Sequence, residues 1–357
     1  MPNFSPEADD ARHAIAARSI PGLGDAGVAR GLAHFGSARA LLSHTSDDVR
    51  ARALSEADDV LTASAHIGAA VLTPADDLYP WRLRELHQPP AVLFARGTLA
   101  SAEPPAVAIV GTRVASPYGV RVARAIATAC ARSGATVVSG LAAGIDGAAH
   151  DAALAAGGRT VGVLGTGIDV VFPRRHVALQ ERIAQEGLLL SELPPGQRGH
   201  GGTFPRRNRI IAALADVTVV VEAGEGSGAL ITASYAHELH RAVACVPNAI
   251  DIPSARGSNA LMKEFAEPIL SPDDVLEMLA LRAQPTPAPI LDDHAAACWY
   301  AIEHGASCLT DLMRITTLPM RIVAAAVTAL ELEGLIVVDA AEQIRLALNG
   351  TARRSER

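Results

Sequence analysis

Ser139-Gly140-Leu141-Ala142-Ala143-Gly144-Ile145-Asp146 follows the short apolar run Thr136–Ser139 and leads directly into a stretch, 146–156, with helical spacing. A strand that ends in glycines and turns at once into a helix is a βα unit. The pattern repeats on both sides. Ala106–Val110 ends in Gly111-Thr112-Arg113, ahead of a helical stretch over 118–133. Thr160–Leu164 ends in Gly165-Thr166-Gly167, ahead of a helix expected over 176–186. Further apolar runs lie at Leu188–Ser191, 217–221 and 243–246, with helices expected over 207–215 and 229–241. Near-continuous apolar strands are buried on both faces. Their alternation with helices predicts an α/β fold, a doubly wound, mostly parallel, extended Rossmann-like sheet.

Outward from this core, residues 1–75 read as a small helical domain, with helices over 29–42 and within 49–70. Ile20-Pro21-Gly22-Leu23-Gly24 is a tight turn of the helix-hairpin-helix or SAM-like kind. The core is expected over 76–283 and a Pro-rich linker over 284–292 (Gln284-Pro285-Thr286-Pro287-Ala288-Pro289). Residues 293–350 carry helices over 309–315 and 319–333 and strands over 335–338 and 343–346, the order of a winged-helix-like domain.

The 357 residues suffice for two or three domains, and a hydrophobic fraction of 49% supports a sizeable core. Aromatics make up only 3%, so that core is built from small and β-branched side chains. The four cysteines form no CxxC pair and no cluster with metal spacing, so no metal is expected. The start of the chain has no signal-peptide pattern and no uncharged run reaches membrane-spanning length, so a cytoplasmic protein without membrane insertion is expected. The net charge of −7 excludes coating of nucleic acid by bulk electrostatics. An anionic partner needs a local basic patch.

Open parallel sheets bind ligands beyond the carboxyl ends of their strands. The unusual residues stand there. Gly111, Thr112 and Arg113, then Ser139, Gly140 and Gly144, then Gly165, Thr166 and Gly167, and finally Gly226, Ser227 and Gly228 with Thr232, form four glycine-rich turns at helix starts. Helix N-termini offer free amides and a positive dipole end to a phosphate. Arg206, Arg207 and Arg209, with Asn208 between them, open a helix and are read with Arg113 as the basic patch. Phe172 and Phe204 are the nearby candidates for stacking on bases. Arg113 stands where a dinucleotide fingerprint needs glycine, and there is no GxxxxGK[ST] run, so no nucleotide cofactor is expected. Asp146, His150 and Glu222 are read as supporting residues: Asp146 as a helix cap, His150 one turn on, Glu222 as orienting arginines. The same three define the alternative, an acid/base set of a nucleotide-processing phosphoribohydrolase. Against it, Gly224-Glu225-Gly226-Ser227-Gly228 lacks the glutamate that such a loop carries shortly after it.

These pieces, with Ala149-His150, Ser191-Glu192, Phe204 to Ile211, Ile231-Thr232-Ala233 and Gly257-Ser258-Asn259, closely resemble the DNA-processing protein A (DprA/Smf) family over about 79–270. Phe172-Pro173 replaces a more usual Tyr-Pro, and Pro247-Asn248 a more usual Pro-Gly. The resemblance implies a non-catalytic protein that binds single-stranded DNA without sequence preference. It also implies loading of the RecA recombinase in natural transformation and a homodimer formed through the core.

Overall fold

The computed structural model describes residues 6–283, 291–339 and 342–347. The expected linker falls largely on 284–290, outside the described residues. In chain order the strands of the first part are β1 Ala70–Leu72, β2 Leu93–Gly97, β3 Ala106–Val110, β4 Thr136–Ser139, β5 Thr160–Leu164, β6 Leu188–Ser191, β7 Val217–Val220, β8 Ala242–Cys245 and β9 Glu267–Pro268. They form one sheet in the order β1-β2-β6-β5-β4-β3-β7-β8-β9. From β6 to β9 every pairing is parallel, while β2 runs antiparallel to β6 and to β1. From β3 the chain builds outward through β4, β5 and β6, then crosses to β7 on the other side of β3. That reversal makes the carboxyl ends of β3 and β7 the topological switch point.

The helices of this part are α1 Pro6–Ser19, α2 Gly24–Phe35, α3 Ala38–Ser43, α4 Asp47–His66, α5 Pro117–Arg132, α6 Ile145–Ala155, α7 Val177–Glu186, α8 Thr203–Leu214, α9 Gly228–Glu238, α10 Arg256–Leu261 and α11 Pro272–Met278. The period of two along a strand divides them between the two faces. Val107 and Ile109 point to α5, α6 and α11, where Val122, Ile126, Ala149 and Val275 cover them. Ala106, Ala108 and Val110 point to α8 and α9, against Ile210, Ile211 and Ala233. Small residues on that second face let α8 and α9 lie close to the sheet.

The described residues up to Arg282 form one compact unit. The N-terminal helices, expected as a domain ending at residue 75, share a core with the sheet: Ile15, Val28 and Leu42 pack in one cluster with Phe94, Leu164 and Ile183. The helix expected over 29–42 is two. Gly36 at φ +79° closes α2, and the Ser37 hydroxyl accepts the Ala40 amide to start α3.

The second unit holds α12 Asp293–Glu303, α13 Leu309–Thr316, α14 Met320–Leu332 and the antiparallel pair β10 Ile336–Val338 and β11 Ile344–Leu346. Helix α12 precedes the elements expected from the sequence. Trp299, Leu312, Val323, Leu330 and Ile344 make its core. Among the described residues no single helix is long and apolar enough to cross a membrane.

Candidate nucleic-acid interface

A cavity of about 730 Å³ opens at the ends of β3 and β7. It is lined by Gly111, Thr112 and Arg113 after β3, Asp146 on α6, Arg207 and Asn208 on α8, and Gly226, Ser227, Gly228 and Thr232 at the start of α9. These sequence-expected residues therefore come together around one space.

The floor is held by close backbone contacts. The Thr112 amide donates to the Glu222 carbonyl at 2.7 Å, and the Ile145 amide to the Thr112 carbonyl at 3.3 Å. A Cβ on Gly111 would stand 2.6 Å from Ile145 Cγ1, so a side chain has no room there. Gly144 caps α6 at φ +79°, and a Cβ there would meet the Thr112 carbonyl oxygen at 2.3 Å. Gly140 is a third such position, beneath the Arg207 guanidinium. These glycines let three loops and a buried arginine stack closely.

Asp146 holds the loop before α6. Its Oδ2 accepts from the Gly140 amide at 3.1 Å and the Ala142 amide at 3.3 Å. It is thus a loop anchor, where a helix cap was expected, and the Gly140 amide is engaged within the protein. Burial pushes the Asp146 carboxyl above its ordinary range, and the Arg207 charge pulls the other way. Ser139 Oγ donates to the Ile109 carbonyl at 2.6 Å and ties β4 to β3.

The arginines do not fan out from a helix start. α8 begins at Thr203, four residues before the expected 207, because Pro205 fits the first turn of a helix. Successive residues then splay by about 100° each. Arg206 is exposed and lies 3.5 Å from Glu192. Arg207 is buried and donates to the Gly140 carbonyl at 2.8 Å, to the Val163 carbonyl and to Asn208 Oδ1 at 3.2 Å. Burial lowers its pKa to about 10, against the pull of Asp146. Arg209 is paired with Glu192 at 2.6 Å. Asn208 donates to the Gly228 carbonyl at 2.9 Å and so fastens α8 to α9.

Arg113 is the exposed cation of the cavity wall. Its guanidinium lies 5.7 Å from the centre of the Phe204 ring, and Phe204 packs 5.2 Å from Phe172. Arg113 and Phe204 thus make a mixed cation and aromatic wall of the cavity, and Phe172, 49% exposed, extends the aromatic surface beside it. Gly165 lies behind it, where a Cβ would strike the Phe204 ring at 2.6 Å. Thr166 Oγ1 donates to the Val170 carbonyl at 2.8 Å and the Gly167 amide to the Gln197 carbonyl at 2.7 Å, outside the cavity. At the opposite wall, Gly226 (φ +73°) has open space around it, and a Cβ on Gly228 would have only Asn208 Nδ2 nearby, at 3.9 Å. Ser227 caps α9 by accepting the Ala229 amide at 3.4 Å, and Thr232 Oγ1 reaches the Gly228 carbonyl at 3.5 Å. The first turn of α9 thus faces the cavity with its positive dipole end.

Glu222 orients serines, where arginines were expected. It accepts from Ser116 N at 3.1 Å, Ser116 Oγ at 2.7 Å and Ser254 Oγ at 2.5 Å. His150 is fully buried, with Nδ1 2.7 Å from Thr160 Oγ1. Asp146, His150 and Glu222 are each absorbed in internal contacts and do not form an acid/base set. Sequence reading missed Ser116 and Ser254, and it named Glu192 only as part of a family motif, without its arginine partners. Ser116 carries a local signal, a serine before Pro117 at a helix start. Ser254 and Glu192 act through partners far along the chain, for which no local pattern exists.

The sheet and its strand-end cavity define a doubly wound binding protein of the Rossmann-like class. The family model for DNA recombination-mediator protein A matches residues 70–280. Protein Smf of Synechocystis is 48% identical over 212 residues, 58% of this chain and 53% of that protein. The chain thus spans about half the length of this curated relative. The X-ray structure of DNA processing protein A from Streptococcus pneumoniae is 32% identical, with TM-score 0.66, and covers 77% of this chain and 99% of its own. The structure of Helicobacter pylori DNA processing protein A, described for its single-stranded DNA binding mode, is 30% identical, with TM-score 0.53, and covers 59% of this chain and 95% of its own. The chain belongs to the DNA recombination-mediator protein A family.

Proposed function

We propose that the chain binds single-stranded DNA in the cavity at the β3–β7 switch point. In this reading it protects incoming strands in the cytoplasm and, as a homodimer, hands them to the RecA recombinase. The observation that carries the DNA part is the composition of the cavity wall. An exposed arginine and Phe204, against which Phe172 packs, stand on one side, and the glycine-lined start of α9 on the other. The first offers charge and stacking, the second amides for phosphates, and neither selects a base. The binding described for the Helicobacter relative supports the same reading. Handover to RecA, the homodimer and a winged-helix-like role of the second unit are what the resemblance to the family implies, and they are proposed on that ground alone.

Arg113→Ala tests the site, because Arg113 is exposed and its loss leaves the fold intact. With fluorescent oligo-dT at several salt concentrations, affinity is expected to fall about tenfold and the salt slope by about 0.7 for one lost phosphate contact. Unchanged affinity and slope would overturn the site assignment.

A further inference from the structure

A second cavity, of about 440 Å³, lies between α1, α4 and the core. It shares a border with the first. Within the run 200–206, Gly201, Phe204 and Pro205 face the first cavity, while His200, Gly202, Thr203 and Arg206 face the second. One short segment is therefore a ridge with a pocket on either side.

The second pocket is amphipathic. Arg18, from the last turn of α1, and Arg206, from α8, bring two guanidinium groups to it, with His200 and Thr203 as further polar groups. Ile15 and Phe94 supply an apolar wall. Both arginines meet at Glu192: Arg18 donates to its carbonyl at 2.6 Å, and Arg206 Nη2 lies 3.5 Å from its carboxylate. The volume falls within the range of small-ligand sites, roughly 300–1,000 Å³. Two guanidinium groups beside an apolar wall match the two halves of a nucleotide, a phosphate and a base.

We infer that the second cavity holds a further nucleotide of the strand bound in the first, so that the strand crosses the 200–206 ridge and the N-terminal helices take part in its recognition. This rests on the reading of the first cavity as a single-strand site. The arginines then serve different stretches of one strand, Arg113 at the switch point and Arg18 with Arg206 beyond the ridge.

A length series of oligo-dT, from about four to about sixteen nucleotides, tests this. The full chain is compared with Arg206→Ala, which removes a cation, and with Ser19→Trp, which fills the cavity from the end of α1. The unmodified chain is expected to gain about tenfold in affinity once the oligomer spans both cavities. Both variants should bind short oligomers normally and lose that gain. Persistence of the gain in both variants overturns the inference, as does a wild-type affinity independent of length, and in either case the first site stands. Equal losses on short and long oligomers also overturn it, since the effect then comes through the first cavity. Absence of binding at every length removes both readings.

Discussion

Arg207 places a cation inside the protein and surrounds it with carbonyl oxygens and a carboxylate. Such a group holds loops in place more than it grips a ligand, since breaking a buried pair leaves an uncompensated charge. His150 sits beside the same network. Burial, helped by the charges of His176 and Arg207, pushes its pKa from 6.5 to about 3. A depressed folded-state pKa contributes stability that is present above the unfolded value and is lost as pH falls toward the folded one. His150 is therefore expected to weaken the fold progressively between about pH 6.5 and about pH 3, by up to roughly a few kcal/mol. The raised Asp146 carboxyl works the opposite way, its contribution growing toward acid. His150→Gln separates them: the slope of melting temperature against pH over that window should flatten. Equal slopes in the two proteins would show that His150 is not the acid-sensitive group.

Two glycines of neighbouring elements differ in what they are for. Gly144, at the start of α6, has a left-handed φ and no space for a Cβ; Gly228, at the start of α9, has space. Gly144→Ala is expected to cost about 2 kcal/mol or more, seen as a lower melting temperature. Gly228→Ala is expected to melt no lower, since alanine favours the helix, yet to bind oligo-dT more weakly because its methyl enters the cavity. Equal effects of both on melting would refute the distinction. Much of this scale was legible beforehand. Strands β3 to β6 match the sequence reading residue for residue, because each is an apolar run closed by turn residues. The start of α8 was not: the helix was expected from Arg207, whereas it begins at Thr203 with Pro205 in its first turn. The outward direction of Arg206 and the inward one of Arg207 depend on the sheet above α8, which local pattern does not describe. The break at Gly36 was written in the sequence as Gly-Ser, yet looked like a helix interior because apolar spacing continued across it.

At the scale of the molecule, the net charge of −7 is not offset by a broad basic patch: Arg206 and Arg209 are paired with Glu192, Arg207 is buried, and Arg113 is the exposed cation of the cavity wall. The unit ending at Arg282 contains three hydrophobic clusters of its own, so it has the means to fold without the rest. Residues 1–283 expressed alone are expected to keep their melting transition and their oligo-dT affinity within a few-fold. Fluorescence anisotropy beside calorimetry checks this, and a loss of affinity beyond about tenfold would assign the second unit a share of the strand.

The family match begins at residue 70, the first residue of β1, whereas the cluster that joins Ile15 and Val28 to Phe94 and Leu164 straddles that point. The matched region and the physical core are thus cut at different places. An exchange of residues 1–69 with those of a relative would sever an apolar seam, so a working chimera must carry matching partners for Phe94, Leu164 and Ile183. The N-terminal helices are tied to the sheet by packing, although the matched region begins after them.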